Sequence, residues 1–403
     1  MTDRNPDAPA YPMKRDDPLL PPPDFAALRA EEPVCPVRLW NGERAWLVTR
    51  HADVRALLGD HRLSANPRTH GYPFLSEGRA EAPDREASFN HLDPPRHDMY
   101  RRMLSGEFTV RAIAGLRPLV QRVVDELIDA LLAGPRPADL VAAFGLPVPS
   151  QVICALLGVP YEDHAFFAQR TATRMNLNAA PEQVRLANQE ILDRLHRLVA
   201  EKTRRPEDDL ISRVALRHVR TGELSHDALV DIARLLLVNG YETTANMITL
   251  GVLALLQAPD QLKKLSDDPS DAAVEAAVEE LLRHQTIVHI APTRAVLEDI
   301  EVGGRTIRAG EGVITSLASA NHDESVFDRP EELDLDRDAR RHLAFGYGVH
   351  HCLGHTLARL ELHVVFGTLF RRVPTLRPAV PLEEVPFKHD MGLYGVHRLP
   401  VTW

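Results

Sequence analysis

Apolar residues recur at three- and four-residue intervals over six long stretches: 117–133, 148–157, 181–204, 226–257, 272–284 and 355–372. That spacing puts the apolar side chains of each stretch on one face of a helix. Shorter pieces, Arg44 to Thr49, 292–302, 305–317 and 391–402, read as strands, and a helix through 53–58 follows the first. Residues 64–90 are rich in Pro, Arg, Glu and Ser without a clean period, and read as a long loop of the kind that is often functional. Met1 to Pro23, rich in Pro and Asp, reads as an irregular arm. The pattern predicts a mainly α protein with small β-sheets, an α+β fold. Residues 24–403 should form a single domain, because no linker, repeat or low-complexity break divides them.

The stretch 226–257 carries the first chemical signal. Ser225 is placed to cap it, and Asp227 suits the first turn of a helix. Its most apolar part, Leu235 to Leu256, is interrupted by Asn239, Glu242 and Asn246, which fits a buried core helix better than a membrane span. Within it, Asn239-Gly240-Tyr241-Glu242-Thr243-Thr244 breaks helical economy. Glycine costs about 1 kcal/mol against alanine in a helix, and a buried Glu needs a partner. Thr243 can bond back to the Asn239 carbonyl and distort the turn. Two readings stand: a packing glycine beside a solvated Glu-Thr-Thr face, or an opened groove with an acid and a hydroxyl placed for proton delivery.

The second signal is Phe345-Gly346-Tyr347-Gly348-Val349-His350-His351-Cys352-Leu353-Gly354, a glycine-rich loop running into the helical stretch 355–372. A cysteine at a helix N-terminus is where a thiolate is most easily held. The other cysteines, Cys35 and Cys154, are far away in sequence, so a zinc site, an iron–sulfur cluster or a redox pair is disfavoured. A single thiolate ligand to a metal already held by something else remains, with haem iron the leading candidate.

Composition narrows the setting. The 403-residue chain has a net charge of -10, which argues against a nucleic-acid surface. Three scattered cysteines and an N-terminus without an apolar signal segment point to a soluble protein of the reducing cytoplasm.

The order Phe-Gly-x-Gly-x-His-x-Cys-x-Gly resembles the haem-binding signature of the cytochrome P450 superfamily. The resemblance implies that family's fold, with haem b (iron protoporphyrin IX) between the long central helix and the cysteine loop. Cys352 would be the iron ligand, and Phe345, Gly346 and Gly354 would belong to the haem-binding loop. Glu242 and Thr243 match the family's oxygen-activating motif, usually Ala/Gly-Gly-x-Asp/Glu-Thr, whereas Asn239 departs from its small apolar residue. Glu280-Leu281-Leu282-Arg283 is similar to the Glu-x-x-Arg motif that braces the haem face, with Arg337 completing the charge cluster. His97 and Arg101, in His91-Leu92-Asp93-Pro94-Pro95-Arg96-His97-Asp98-Met99-Tyr100-Arg101-Arg102, join Arg294 and His350 as the implied partners of the two haem propionates. Tyr347, Arg308 and Glu324 depart from common family residues without touching the ligand. Leu146 to Ser150, Leu156 to Pro160 and the ending Leu399 to Trp403 are closest to the soluble actinomycete members.

The implied activity is insertion of one oxygen atom from O2 into an organic molecule, by hydroxylation or epoxidation. Electrons would come from an acidic ferredoxin and its NAD(P)H-dependent reductase. Arg340, Arg341, His342, His351, His355 and Arg359 are a candidate ferredoxin dock. By resemblance the substrate pocket draws on Phe74, Phe89, Met175, Leu177, Val238, Asn239, Ile287, Val288, Ile290, Leu393 and Tyr394. That mixed lining suits a medium to large amphipathic molecule: a steroid, polyketide, macrolide or drug-like compound. The expectation is a monomer with no nucleic-acid or membrane partner. A peroxide-driven peroxygenase and a non-enzymatic haem-thiolate sensor are the rival readings.

Overall fold

The computed structural model describes residues 8–81 and 88–403. Residues 1–7 of the expected arm and 82–87 of the expected loop lie outside the described residues. All six long periodic stretches are helices: Arg117–Ala133, Pro147–Leu157, Pro181–Arg204, His226–Gln257, Asp271–Gln285 and His355–Arg372. Ser225 caps the longest by accepting from the Ala228 N–H at 3.1 Å. This long helix is buried along most of its length and packs against four of the others. A Cβ on Gly240 would come within 2.8 Å of Ile153. Gly240 is therefore a packing glycine, letting helix Pro147–Leu157 approach.

The sheets are small, and the largest has five strands in the order Val34–Arg38, Arg44–Val48, Gly312–Thr315, Thr293–Val296 and Leu63–Ser64. Sequence reading misses the first strand because Pro36 lies within it; the strand is at the sheet edge, where a missing N–H donor is tolerated. Residues 391–402 are strand only at Pro400–Thr402. Within 305–317 the strands are Arg305–Ile307 and Gly312–Thr315, and helix Leu317–Ala320 begins at the end of the range. The expected loop also holds a one-turn helix, Glu77–Glu81, and a 3-10 turn, Phe89–His91, both too short to show a period. Residues 8–23 form no helix or strand, yet they pack: Tyr11 is buried, and the Arg15 guanidinium lies 3.9 Å over the Tyr394 ring.

The Glu-x-x-Arg pair organises the cysteine side of the core. Glu280 and Arg283 are fully buried and joined twice, at 2.7 and 2.8 Å. Arg283 also donates to the carbonyls of Asn321 and Pro330 at 2.9 and 2.8 Å. Arg337 reaches Glu280 at 3.2 Å, and the Asp334 N–H reaches it at 3.0 Å. One helical turn thus fixes the course of the irregular segment that leads to the cysteine loop.

Burial, with the Arg283 charge beside it, pushes His284 down to about 4. Burial, with Arg15, pushes His289 to about 3. Both rings are neutral in the fold, and the unfolded chain binds their protons below about pH 6.5. Stability is therefore complete above that pH and is lost as pH falls toward 4. Each histidine should cost about 2 kcal/mol between pH 7 and 5. Urea unfolding of His284→Gln should show a shallower acid loss than the parent; an equal slope would rule out this cause.

Candidate functional site

The cysteine loop closes on itself where the Cys352 N–H donates to the Phe345 carbonyl at 2.9 Å. Gly348 has φ +74, and a Cβ there would sit 2.4 Å from the Leu58 carbonyl oxygen, so only glycine fits. Cys352 is accessible, although protein atoms surround its thiol densely. Burial raises its thiol; the Gly354 N–H and the charges of Arg101 and Arg359 work the other way, toward the thiolate.

The four expected propionate partners converge. The rings of His97 and His350 lie 4.4 Å apart. Burial, then the neighbouring Arg294, His97, His91 and Arg101, pushes His350 down to about 3. Arg294 is buried and donates to the Thr293 carbonyl at 2.8 Å. Nearby carboxylates are already engaged: Asp98 lies 3.0 Å from His97, and Asp93 accepts from Ser64 and the Ala65 N–H. The Nδ1 atoms of His350 and His91 are buried without a partner. A cluster of cations with orphaned donor or acceptor atoms beside an accessible thiol is a donor set for a dianionic, thiolate-ligated group. Haem fits the residues present.

On the long helix, Thr243 Oγ1 donates to the Asn239 carbonyl at 2.7 Å, as its position in the turn suggested. Asn239 is exposed, while Glu242, three residues on, is buried. Lys388 Nζ meets Glu242 Oε1 at 2.7 Å and Asn246 Oδ1 at 2.8 Å. The acid is thus held by a cation from the C-terminal hairpin, where Lys388 N–H donates to the Gly395 carbonyl and His397 N–H to the Pro386 carbonyl, both at 2.8 Å, rather than standing open beside the hydroxyl. Sequence reading missed Lys388, whose surroundings carry no pattern, and a lone lysine is ordinarily a solvated one.

A cavity of about 430 Å3 opens beside this turn. Of the residues expected in the pocket, Phe74, Met175, Val238 and Asn239 line it. Phe89, Leu177, Ile287, Val288, Ile290, Leu393 and Tyr394 are not among its lining residues. Phe89 stacks on His97, with ring centroids 6.1 Å apart. Leu177 and Ile290 pack in the core around the five-stranded sheet, Val288 packs against a neighbouring core and Ile287 against the main one. Tyr394 is fully buried, donating its hydroxyl to the Pro18 carbonyl at 2.8 Å, so the N-terminal arm covers it. Leu393 beside it is half-buried.

The family model described as Cytochrome P450 matches residues 175–378. Cytochrome P450-SU2 of Streptomyces griseolus is 50% identical, over 99% of this chain and 98% of its own.

The chain belongs to the cytochrome P450 family.

The 20-oxo-5-O-mycaminosyltylactone 23-monooxygenase of Streptomyces fradiae is 45% identical, over 98% of this chain and 92% of its own. The solved methyl hydroxylase MycCI from Micromonospora griseorubida, bound to mycinamicin VIII, superposes with a TM-score of 0.92 at 40% identity, covering 98% of this chain and all of that one. This P450 is a haem-dependent monooxygenase whose family holds iron on a cysteine thiolate. Among the described residues, no helix is long and apolar enough to cross a membrane.

Removing Lys388 would leave Glu242 charged, buried and without its cation. Lys388→Met should cost about 3–5 kcal/mol by urea unfolding, because the stranded charge dominates. Adding Glu242→Gln should recover most of the loss; additive losses would show that the pair is not coupled.

Proposed function

We propose that Cys352 is the iron ligand and that His97, Arg101, Arg294 and His350 hold the haem propionates. Phe345, Gly346 and Gly354 shape the loop around them. The observation that carries this reading is the accessible thiol at the start of helix His355–Arg372, close to a buried cluster of cations with an unpartnered His350 Nδ1. Bound haem supplies activation of O2 and transfer of one oxygen atom into a C–H or C=C bond of the substrate.

The chain's own work is to orient the substrate, limit water and supply protons. Thr243 lies on the accessible side of the long helix, its hydroxyl oriented by the Asn239 carbonyl. In this reading it relays protons, and the neighbouring Glu242 supports the relay while paired with Lys388. Glu280, Arg283 and Arg337 are structural. Thr243→Ala should lower product formation by about 10²-fold, with reducing equivalents diverted to peroxide and the reduced-CO spectrum unchanged. Cys352→His should abolish the thiolate form of that spectrum even where haem remains bound. A Thr243→Ala enzyme as well coupled as the parent would sink the relay assignment.

The substrate is a medium to large amphipathic small molecule. Relatives named for a tylactone and for mycinamicin support a polyketide- or macrolide-like compound, and the half-polar cavity agrees with an amphipathic one. Electrons come from a ferredoxin and its reductase, and the enzyme works as a cytoplasmic monomer.

The structure narrows the expected dock. His342 is buried, 3.1 Å from Glu279 Oε2, and Arg359 binds the same carboxylate at 2.6 and 2.9 Å. Burial disfavours the Glu279 charge, yet these two partners hold its carboxyl down at about 2. Arg340 is exposed and bonded to Asp338 at 2.8 Å. Exposed Arg341 is left as the leading contact, with exposed Tyr347 and Val349 nearby in the loop. Arg340→Glu with Arg341→Glu should slow reduction by ferredoxin about tenfold at low salt and flatten its salt dependence. An unchanged rate and salt slope would remove the docking face.

A further inference from the structure

Helices Pro181–Arg204 and His226–Gln257 pack together, and the second half of the one meets the first turn of the other. Leu195 and Leu229 are fully buried, and Ser225 caps the turn that begins the long helix. Beside these anchors three side chains gather at the surface: His196, His226 and Asp227. His196 Nδ1 lies 3.8 Å from Asp227 Oδ1. The rings of His196 and His226 stack, with centroids 5.5 Å apart and planes 29° apart. One ligand atom from each of the three residues lies within 4.8 Å of the other two.

Hydrogen bonding does not account for this gathering. Among the described residues none of the three side chains makes a hydrogen bond. His218, by contrast, is closed on Glu223 at 2.6 Å. Attraction between a histidine and an aspartate would bring one ring to the carboxylate and leaves the second ring unexplained. A tetrahedral zinc ion, with bonds of about 2.0–2.2 Å, holds its ligand atoms about 3.3 Å apart. His196 and Asp227, at 3.8 Å, need to close by only about 0.5 Å to reach that spacing, which side-chain rotation at a surface supplies. The positive end of the long helix opposes a cation there, and the Asp227 carboxylate in its first turn offsets that field.

We propose that His196, His226 and Asp227 form a binding site for Zn2+ that pins helix Pro181–Arg204 to the first turn of the long helix. Two imidazoles and a carboxylate, with a water in the fourth position, suit zinc. Mg2+ and Ca2+ take oxygen ligands and are disfavoured by the two nitrogens. Both helices supply ligands from regular backbone, so the ion ties together two rigid elements. The pinned helix also lends Val184 and Asn188 to the wall of the cavity, and the long helix carries Thr243. His196 stands about two turns beyond Asn188, about 12 Å along the axis. None of the three ligands lines the cavity, so the ion braces its wall from outside. The inference is independent of the oxygenation reading above.

Equilibrium dialysis of the haem-loaded enzyme against about 10 µM free Zn2+, enough to fill a site of micromolar affinity, tests this. Zinc is counted per haem in the parent, in His196→Ala and, separately, in His226→Ala. The parent should hold one zinc more than either variant, since the remaining histidines are common to all three and cancel. Zinc should also raise the Tm of the parent by about 2 °C or more, and Mg2+ should not. Asp227→Asn, at an exposed position where folding is not at stake, should weaken zinc binding at least about tenfold. A reduced-CO spectrum like that of the parent verifies the fold of each variant. Equal zinc content in the parent and in either folded histidine variant overturns the inference, as does an Asp227→Asn enzyme that binds zinc as tightly as the parent.

Discussion

The Arg283 guanidinium is the constraint on which the cysteine side depends. It is fully buried, satisfied by Glu280 and by the Asn321 and Pro330 carbonyls, and these carbonyls belong to a segment without regular structure of its own. Such a bridge is a weak source of net stability, because desolvating both charges cancels much of their attraction. Its value lies in direction. A planar fork with fixed donors specifies where each carbonyl must lie, which an apolar core of equal volume could not do. The cysteine loop hangs from that segment, so the thiol's position follows from a charge pair remote from it in sequence.

The same economy of charge separates the two sides of the candidate site. On the cysteine side, the cations of Arg101 and Arg294 stand near the neutral ring of His350, and unpartnered ring nitrogens remain. Toward the C-terminal segment the charges balance: the buried Lys388 donates to Glu242 and to Asn246. An open cluster beside a closed one distinguishes where a ligand is expected from where the protein holds a group in reserve. Asn246 is the least complete member, since its Nδ2 is buried without a partner.

Much of this was legible in the sequence, for reasons that differ by element. The six long helices carry enough turns for their period to rise above noise, and their bounds agree with the structure to within about two residues. Helices Asp24–Glu31, Arg96–Ser105 and His164–Met175 are missed by the sequence reading because two or three turns give a period too few repeats. Glu280 finds Arg283 and Thr243 finds Asn239 because each motif spans one turn of helix, whereas His97 and His350, from different motifs, meet through the fold. The cavity lining was less legible, since it is assembled from loops and helix ends whose meeting depends on packing. Tyr394 illustrates this, because only the fold reveals that Arg15 and Pro18 cover it.

The long helix finally explains why so apolar an element tolerates so many polar residues. Arg234, Asn239, Glu242, Thr243 and Asn246 each lower its burial energy, and a core helix under no other demand would replace them with leucine or alanine. They are not scattered. Asn239, Glu242, Thr243 and Asn246 recur at i, i+3, i+4 and i+7, which puts them on one side of the helix; Asn239 lines the cavity with Val238 and Leu235, and Glu242 and Asn246 meet Lys388. Helical geometry converts that spacing into one polar stripe that touches the cavity at one end and Lys388 at the other. The stability surrendered along this helix is what lets one stripe meet both the cavity and the buried lysine.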